Sequence, residues 1–494
     1  MITAGNRAAE LVVIDPIYSQ TAELADLYIQ IKPRTDGVLA MLLVKLLNEK
    51  HALDPSFIEK HTVGFPDFMD SVNRLDKQQC LDACGIQERS IEILAGWLQH
   101  AKSAAHIVGS GLQRHPIGKQ HIQSIASLAA ARGDLGKQGG GILLRSRKSR
   151  LFNNQMIFNA GQNGTRHRLL RITDLFNESV SLAPPIDLLW ITSANPMHQA
   201  AYSKRFANYL GTVPFVVTVD QYFTATTKMS NLILPTTTHF EELDIVPSFW
   251  HDSIALNEQA IAPYFQSKSE WTMMRNLAAR LQKEHPDLCS FPLHASEEEY
   301  LNAQFNQEVF EHYRIRSISD LRGKIATPDS PAHVCDNIMV KKPAEKYPFY
   351  AFDAEQIELQ LATPHTKENK GFESYPFLLL TSRNAYTFHS HHLQHLFDEE
   401  EAFISIHPKA GAEHRISNGE IVKIYNDQFC LLVKAVYSDK VPSDILLFHA
   451  GTNSGIERKL DPMAKWTPDK RTETVRLPGE TEMFDTFVTV AALK

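Results

Sequence analysis

The sequence predicts an α/β protein, with two Rossmann-like parallel-sheet domains followed by a smaller β-rich domain. Short apolar runs end abruptly in polar or small residues. They are Leu11–Ile14 before Asp15-Pro16, His106–Val108 before Gly109-Ser110-Gly111, Leu188–Ile191 before Thr192–Asn195, and Phe215–Val217 through Asp220. Runs that are apolar throughout suit strands buried on both faces, hence parallel sheets flanked by helices. Helical patterns fall between them, at Asp36–Lys50, Ser90–Lys102, Ile122–Arg132 and Gln199–Leu210, giving βαβ alternation. Later the texture changes. Phe377–Thr381, Ala402–Ile406, Glu420–Tyr425, Cys430–Val436 and Asp444–Phe448 are separated by turn signals such as Asn418-Gly419, the spacing of a small barrel or sandwich.

Composition narrows the class. At roughly 150 residues per domain, 494 residues suggest about three domains. The expected boundaries are 1–160 and 161–325 for the two α/β domains, 326–374 for a Pro-, Lys- and Glu-containing linker, and 375–494 for the β domain. A net charge of −7 and no basic run longer than Arg145–Arg150 give no case for nucleic acid. Hydrophobic residues at 43% and charged residues at 22% fit a globular chain rather than a disordered one. Lys45 interrupts the longest apolar helical stretch, Val38–Leu47, so no membrane span is expected. Asn6, Arg7 and Glu10 stand where a signal peptide would be apolar. Five cysteines exclude a disulfide scaffold and fit a reducing, cytoplasmic setting.

Four constellations carry chemistry. In the first, Asp15 ends a strand and Asp36 starts a helix. Each carboxylate could serve its own turn or helix cap, or accept N–H donors from a nucleotide. In the second, Gly109-Ser110-Gly111 leads to Gln113, but Arg114 stands where the third glycine of G-x-G-x-x-G belongs, so the NAD fingerprint fails. Gly133 reads as a helix stop. The third gathers Ser193, Asn195, Asp220 and Thr236–Thr238, hydroxyls and amides able to form anion nests or simple caps. In the fourth, Arg383 offers a planar fork for phosphate or a pterin carbonyl. His389, His391, His392 and His395 follow without a ligand spacing that specifies a metal site. Cys80 and Cys84 form C-x-x-x-C, which by itself is neither a zinc nor an iron–sulfur spacing.

In order, these motifs resemble the molybdopterin-dependent oxidoreductases of the dimethyl sulfoxide reductase and formate dehydrogenase superfamily. The match is carried by Val13–Pro16, Ala25-Asp26, Pro33–Asp36, Gly111–His115, Gly133–Gly136 with Gly139–Gly141, and Asn195-Pro196. Asp220 with Thr224, Asn231–Pro235, Asn257–Pro263, Lys268–Trp271 and Thr381–Arg383 continue it. The resemblance implies a bis(molybdopterin guanine dinucleotide) cofactor with molybdenum or tungsten, one guanine nucleotide on each α/β domain, and a double-psi-like C-terminal barrel over the pterins. It places Asp15 and Asp36 at the first guanosine and Gly111 and Gln113 near the pterin side. Ser193, Asn195 and Asp220 would line the second nucleotide, with Glu270 as guanine acceptor. Arg383 and His389 would approach the pterins, with Asn453 in a late loop.

Two departures stand out. Position 34 is Arg where the family usually has Gly, Asn or Gln. The family's cluster-binding cysteines and metal-ligand residue precede the Val-Ile-Asp-Pro string, and here only twelve residues do. The expectation is therefore the C-terminal cofactor-binding portion of such an enzyme, with no iron–sulfur cluster of its own, performing two-electron chemistry on a small substrate. A separate N-terminal polypeptide or an electron-transfer subunit would be its partner. The alternatives are a non-catalytic cofactor-binding subunit or a truncated remnant needing a separate N-terminal partner and, further off, a nucleotide-binding α/β protein without molybdenum.

Overall fold

The computed structural model describes residues 9–115, 117–144, 182–199, 203–248, 253–286, 291–328, 346–361, 375–383, 403–426, 430–450 and 486–492, with residues 170, 251 and 289. The chain forms two compact units, one from residues 1–144 and 334–494, the other from 145–333.

The first unit is built around helix α1 (Asp36–Glu49), whose residues from Gly37 to Val44, with Leu46 and Leu47, are all buried. A helix apolar on nearly every side belongs in a core. Helices α2 (Pro55–His61), α3 (Phe65–Asn73), α4 (Lys77–Cys84), α5 (Glu88–His100) and α6 (Gly118–Ala131) are the other α-helices among the described residues of 9–144. Lys45, the polar interruption, turns its ammonium to the carbonyls of Asn73 and Leu75 at the end of α3, where a cation is favoured. Helix α6 stops as the glycine predicted. Gly133 has φ +65, and the amides of Gly133 and Asp134 donate back to Ala130 and Ala129, both at 2.9 Å, a Schellman closure.

Strands β1 (Val12–Ile14) and β2 (Leu27–Ile29) pair in parallel, as do β4 (Ala105–Ile107) and β5 (Gly141–Leu143). Part of the expected linker, 346–361, is no linker. Its strand β12 (Tyr347–Pro348) pairs with β3 (Thr62–Val63), and Tyr347, Phe349, Phe352 and Ile357 join the core around α1. Phe349 stacks on Phe68 with ring centroids 5.0 Å apart.

The C-terminal part of this unit is a closed six-stranded barrel in the order β13-β17-β14-β16-β15-β18. The strands are β13 (Phe377–Arg383), β14 (Phe403–Ile406), β15 (Ile421–Tyr425), β16 (Cys430–Tyr437), β17 (Ile445–Ala450) and β18 (Thr486–Ala492). Two pairs, β13 with β17 and β14 with β16, are parallel. Ile404, Val422, Ile424, Val433, Leu446 and Val488 fill the interior, and closure leaves no free edge.

A strap ties the loop after β1 to the barrel. Ile17 packs against Leu378, Val441 and Ile445. The Tyr18 amide donates to the Lys440 carbonyl at 2.9 Å, and Lys440 forms an ion pair with Glu23.

The second unit holds a parallel sheet of β6 (Leu188–Ile191), β7 (Phe215–Asp220) and β8 (Leu232–Pro235). A separate antiparallel sheet comprises β9 (Asp244–Pro247), β10 (Ile254–Asn257) and β11 (Ile325–Ala326). Helices α7 (Pro196–Gln199) and α8 (Ser203–Leu210) follow β6, and Phe206 and Leu210 cover Ile191 and Val216. Helices α9 (Glu270–Glu284), α10 (Glu297–Ala303) and α11 (Gln307–Tyr313) come later.

Burial on both faces holds for β7, whose Val216–Val219 are all buried, but not for the other runs. Ile107 in β4 is 69% exposed and Leu188 in β6 is 56% exposed. Sheets of two or three strands are mostly edge, so their outer strands keep apolar surface.

Candidate functional site

In the first unit the site forms at the carboxyl end of β1 and the start of α1, where ligands of parallel sheets sit. Asp36 is not the helix cap that its position suggested. Thr35 is the cap residue and Asp36 the first helical residue. The Thr35 hydroxyl is committed to the Lys32 carbonyl at 2.7 Å. The Gly37 amide, which a cap would normally satisfy, donates instead to Nδ1 of His121 on α6 at 3.1 Å. Among the described residues, the Asp36 carboxylate accepts only from its own backbone N–H. Protein packs densely about it, and the residue as a whole is partly exposed. Burial pushes its pKa up to about 6; its own N–H and nearby His115 oppose the rise, and the negative charge of Asp15 adds to it. Asp15 is also pushed upward by burial, and its Oδ1 accepts from the Ile17 amide at 2.9 Å.

Gly111 and Gln113 lie in a 3-10 turn, Ser110–Arg114, that leads towards α6. A side chain at Gly109 would meet nothing within 4 Å, so backbone faces open space there. Arg34, the departure from the family pattern, sits at φ +72. That left-handed geometry explains a preference for glycine or asparagine.

In the second unit the four sequence-derived residues gather at the carboxyl edge of β6-β7-β8. Ser193 follows β6 at φ +51. Thr192 donates to Oε1 of Glu270, tying this loop to the start of α9. Oε2 of Glu270 accepts nothing among the described residues, and Ser269 caps the helix through the Thr272 amide. Asn195 is buried and its Oδ1 accepts from the Thr226 hydroxyl at 2.6 Å. Asp220 serves its own loop first: Oδ1 accepts from the amides of Gln221 and Tyr222 at 2.7 and 3.2 Å, leaving Oδ2 with a long bond from Thr224. Gln221 reaches the Thr237 carbonyl at 2.8 Å, and Thr236 bridges to Lys268. Thr236–Thr238 start no helix; Thr238 donates to Glu241.

The strain at Ser193 gives a prediction. Its side chain is exposed, so Ser193→Gly should relieve the left-handed backbone and stabilise the second unit by about 1 kcal/mol. Urea denaturation checks it; a loss of stability would contradict the strained geometry.

Arg383 ends β13, opposite Ala450 of β17. His389, Asn453 and the neighbouring histidines 391, 392 and 395 lie outside the described residues. Among the described residues no group of three His, Cys, Asp or Glu side chains could hold a metal ion. Cys80 and Cys84 are buried, and burial pushes their thiols up to about 11 and about 12, which leaves them inert. No helix among them is long and apolar enough to cross a membrane. Sequence reasoning missed His121: its contact spans 84 positions, so no local spacing announces it.

A model of the molybdopterin oxidoreductase family matches residues 2–280, more than half of the chain. The chain belongs to the molybdopterin oxidoreductases. The probable oxidoreductase YyaE of Bacillus subtilis is 28% identical over 433 residues, which are 85% of this chain and 63% of the relative. The F420-dependent formate dehydrogenase subunit alpha of Methanocaldococcus jannaschii is 22% identical over 505 residues, 94% of this chain and 72% of that one. Trimethylamine-N-oxide reductase of Salmonella typhi is 22% identical over 519 residues, 90% and 60% of the two chains. This chain thus spans just under two thirds of the first relative's length. Among solved structures, acetylene hydratase from Pelobacter acetylenicus shares the fold, with TM-score 0.70 at 17% identity, over 90% of this chain and 67% of that one. Membership implies a molybdopterin cofactor, and the α/β units with a C-terminal barrel are the expected architecture.

Proposed function

We propose that the chain holds its molybdopterin as the bis(guanine dinucleotide) form with molybdenum or tungsten, for two-electron oxidation or reduction of a small substrate. One guanosine would rest on Asp15 and Asp36 in the first unit, the other on Ser193, Asn195, Asp220 and Glu270 in the second. Arg383, His389 and Asn453 would serve the pterins, and Gly111 and Gln113 the side of the first cofactor half. Electrons would pass to or from a partner subunit; one relative is itself named as a subunit.

The donor set fits the group. Guanine presents two adjacent N–H donors, which a carboxylate accepts side by side. Asp36 has the acceptor capacity for both and the accessibility to use it. That carboxylate at a helix start, held only by its own N–H, carries the proposal. Open backbone at Gly109 admits a pyrophosphate. In the second unit Oε2 of Glu270 is the matching acceptor, and the Ser193 loop offers backbone donors. When bound, the cofactor supplies the two-electron chemistry at its metal; the chain's residues bind it, orient it and set its charge environment.

The test is calorimetric titration of the purified chain with GDP, beside pterin fluorescence and elemental analysis. Asp36→Asn should weaken GDP binding about tenfold or more, the worth of a charge-assisted pair of hydrogen bonds. Affinity of the unaltered chain should fall as pH drops through about 6, where Asp36 takes up a proton and stops accepting. Equal affinity for GDP and ADP, or a flat pH response, would refute the assignment.

A further inference from the structure

We propose that Ile17 is a positioning residue, anchored in the barrel, that aims the Asp15 carboxylate at a ribose hydroxyl of the bound nucleotide. This inference rests on the guanosine reading above and assigns the sugar's contact within it. Asp15 follows directly on β1, at the carboxyl end from which acidic side chains meet a nucleotide's ribose in parallel sheets. Its Oδ1 accepts from the Ile17 amide at 2.9 Å, and its Oδ2 accepts nothing among the described residues. One open oxygen suits a single O–H donor. The two carboxylates lie near enough for the charge of Asp15 to act on Asp36, so one nucleotide can meet both.

The direction of the open oxygen depends on where the Ile17 amide sits, and two contacts from the barrel hold that amide. The Ile17 side chain packs against the apolar cluster of Leu378, Val441 and Ile445. The next amide, that of Tyr18, donates to the Lys440 carbonyl at 2.9 Å. On the sheet side, the Tyr28 hydroxyl donates to the Asp15 carbonyl at 2.9 Å, and Gln30 donates to the Pro16 carbonyl at 3.2 Å. The turn is thus held between its own sheet and the barrel. Ile17 joins the barrel's apolar surface to the amide that holds the carboxylate. Without that anchor the amide can turn away, and the carboxylate can rotate about its Cβ–Cγ bond.

The experiment measures GDP and dGDP affinities by calorimetry on the full chain. dGDP lacks the 2′-hydroxyl, so the ratio of the two reports the sugar contact. Asp15→Ala, which removes the acceptor, should cut the preference for GDP about tenfold, the worth of one hydrogen bond to a charged group. Ile17→Ala should cut it at least about threefold, and Ile17→Val, which keeps the apolar contact, should restore most of it. General loosening of the fold would lower both affinities together and leave their ratio intact. Val441→Ala, on the barrel side and 1% exposed, carries the same expectation if Ile17→Ala does not fold. The double variant of Asp15→Ala with Ile17→Ala should lose no more preference than Asp15→Ala alone; a further loss overturns the route through Asp15. An unchanged ratio in Ile17→Ala and Val441→Ala, beside a reduced one in Asp15→Ala, overturns the positioning role. An unchanged ratio in Asp15→Ala overturns the ribose contact and the positioning role together, while leaving the preference for GDP over ADP in place. No GDP binding by the unaltered chain, or equal affinity for GDP and ADP, overturns the guanosine reading itself.

Discussion

Asp134→Ala is expected to destabilise the first unit by about 3–5 kcal/mol, the loss seen when one partner of a buried ion pair is removed. The Asp134 side chain is fully buried and that of Arg132 is 4% exposed. Oδ2 accepts from Arg132 Nε at 2.8 Å and Oδ1 from the Ala104 amide at 3.1 Å. Arg132 also reaches the Ala101 carbonyl. The pair thus pins the end of α6 to the lead-in of β4, and removing the carboxylate strands a buried guanidinium. The pH dependence follows. Burial by itself would raise the pKa of Asp134, but hydrogen bonds from His106, Arg132 and Ala104 outweigh it and hold the carboxyl below the ordinary 3.8. A depressed folded-state pKa stabilises the protein above the unfolded value and ceases to do so as pH falls through the folded one. Denaturation midpoints at several pH values should therefore show the variant's deficit largest near neutrality and shrinking below about pH 4. A deficit under about 1 kcal/mol, the scale of an exposed pair, would mean that the carboxylate is not buried as described.

Gly118→Ala should act on the Ser110–Arg114 turn, proposed above to face the cofactor, as well as on stability. Its Cβ would lie 2.2 Å from the Leu112 carbonyl oxygen and 3.0 Å from Gln113 Cα. Both are backbone atoms of the turn carrying Gly111 and Gln113, so no rotamer change relieves the overlap. Overpacking of this kind costs about 1–3 kcal/mol or more, and the relief available is to move the turn off α6. The variant should lower the denaturation midpoint and lose pterin fluorescence together. Gly109→Ala, where a Cβ meets nothing within 4 Å, is the control and should leave the midpoint in place. Full pterin retention in Gly118→Ala would separate this turn from the cofactor.

The strands that end in polar residues were legible because a local apolar run and its terminator are a local signal. The Gly133 stop was legible for the same reason. Strands β2, β5 and β18 carry no such signal. Leu27–Ile29 and Gly141–Leu143 are three residues each, and Thr486–Ala492 mixes small and polar residues. Residues 346–361 looked like a linker because their partners, Thr62 and Phe68 among them, lie far away in sequence. In the site, the carboxylates could be found from strand ends and a helix start. Which of them was already spent could not be, since Asp220's loop bonds and His121's cap depend on geometry. Arg34 falls between: the unusual residue was visible, its positive φ was not.

The strap between the Asp15 loop and the barrel also governs order of assembly. Glu23 and Lys440 are 417 residues apart, a separation that takes about 20–80 s to synthesise at about 5–20 residues per second. Strand β18, which closes the barrel against both β13 and β15, emerges later still. Until then Ile17 and Tyr18 lack their barrel partners and keep only local ones, the Asp15 carboxylate and the Tyr28 ring. The loop after β1 is thus among the last parts of the first unit to be tied down.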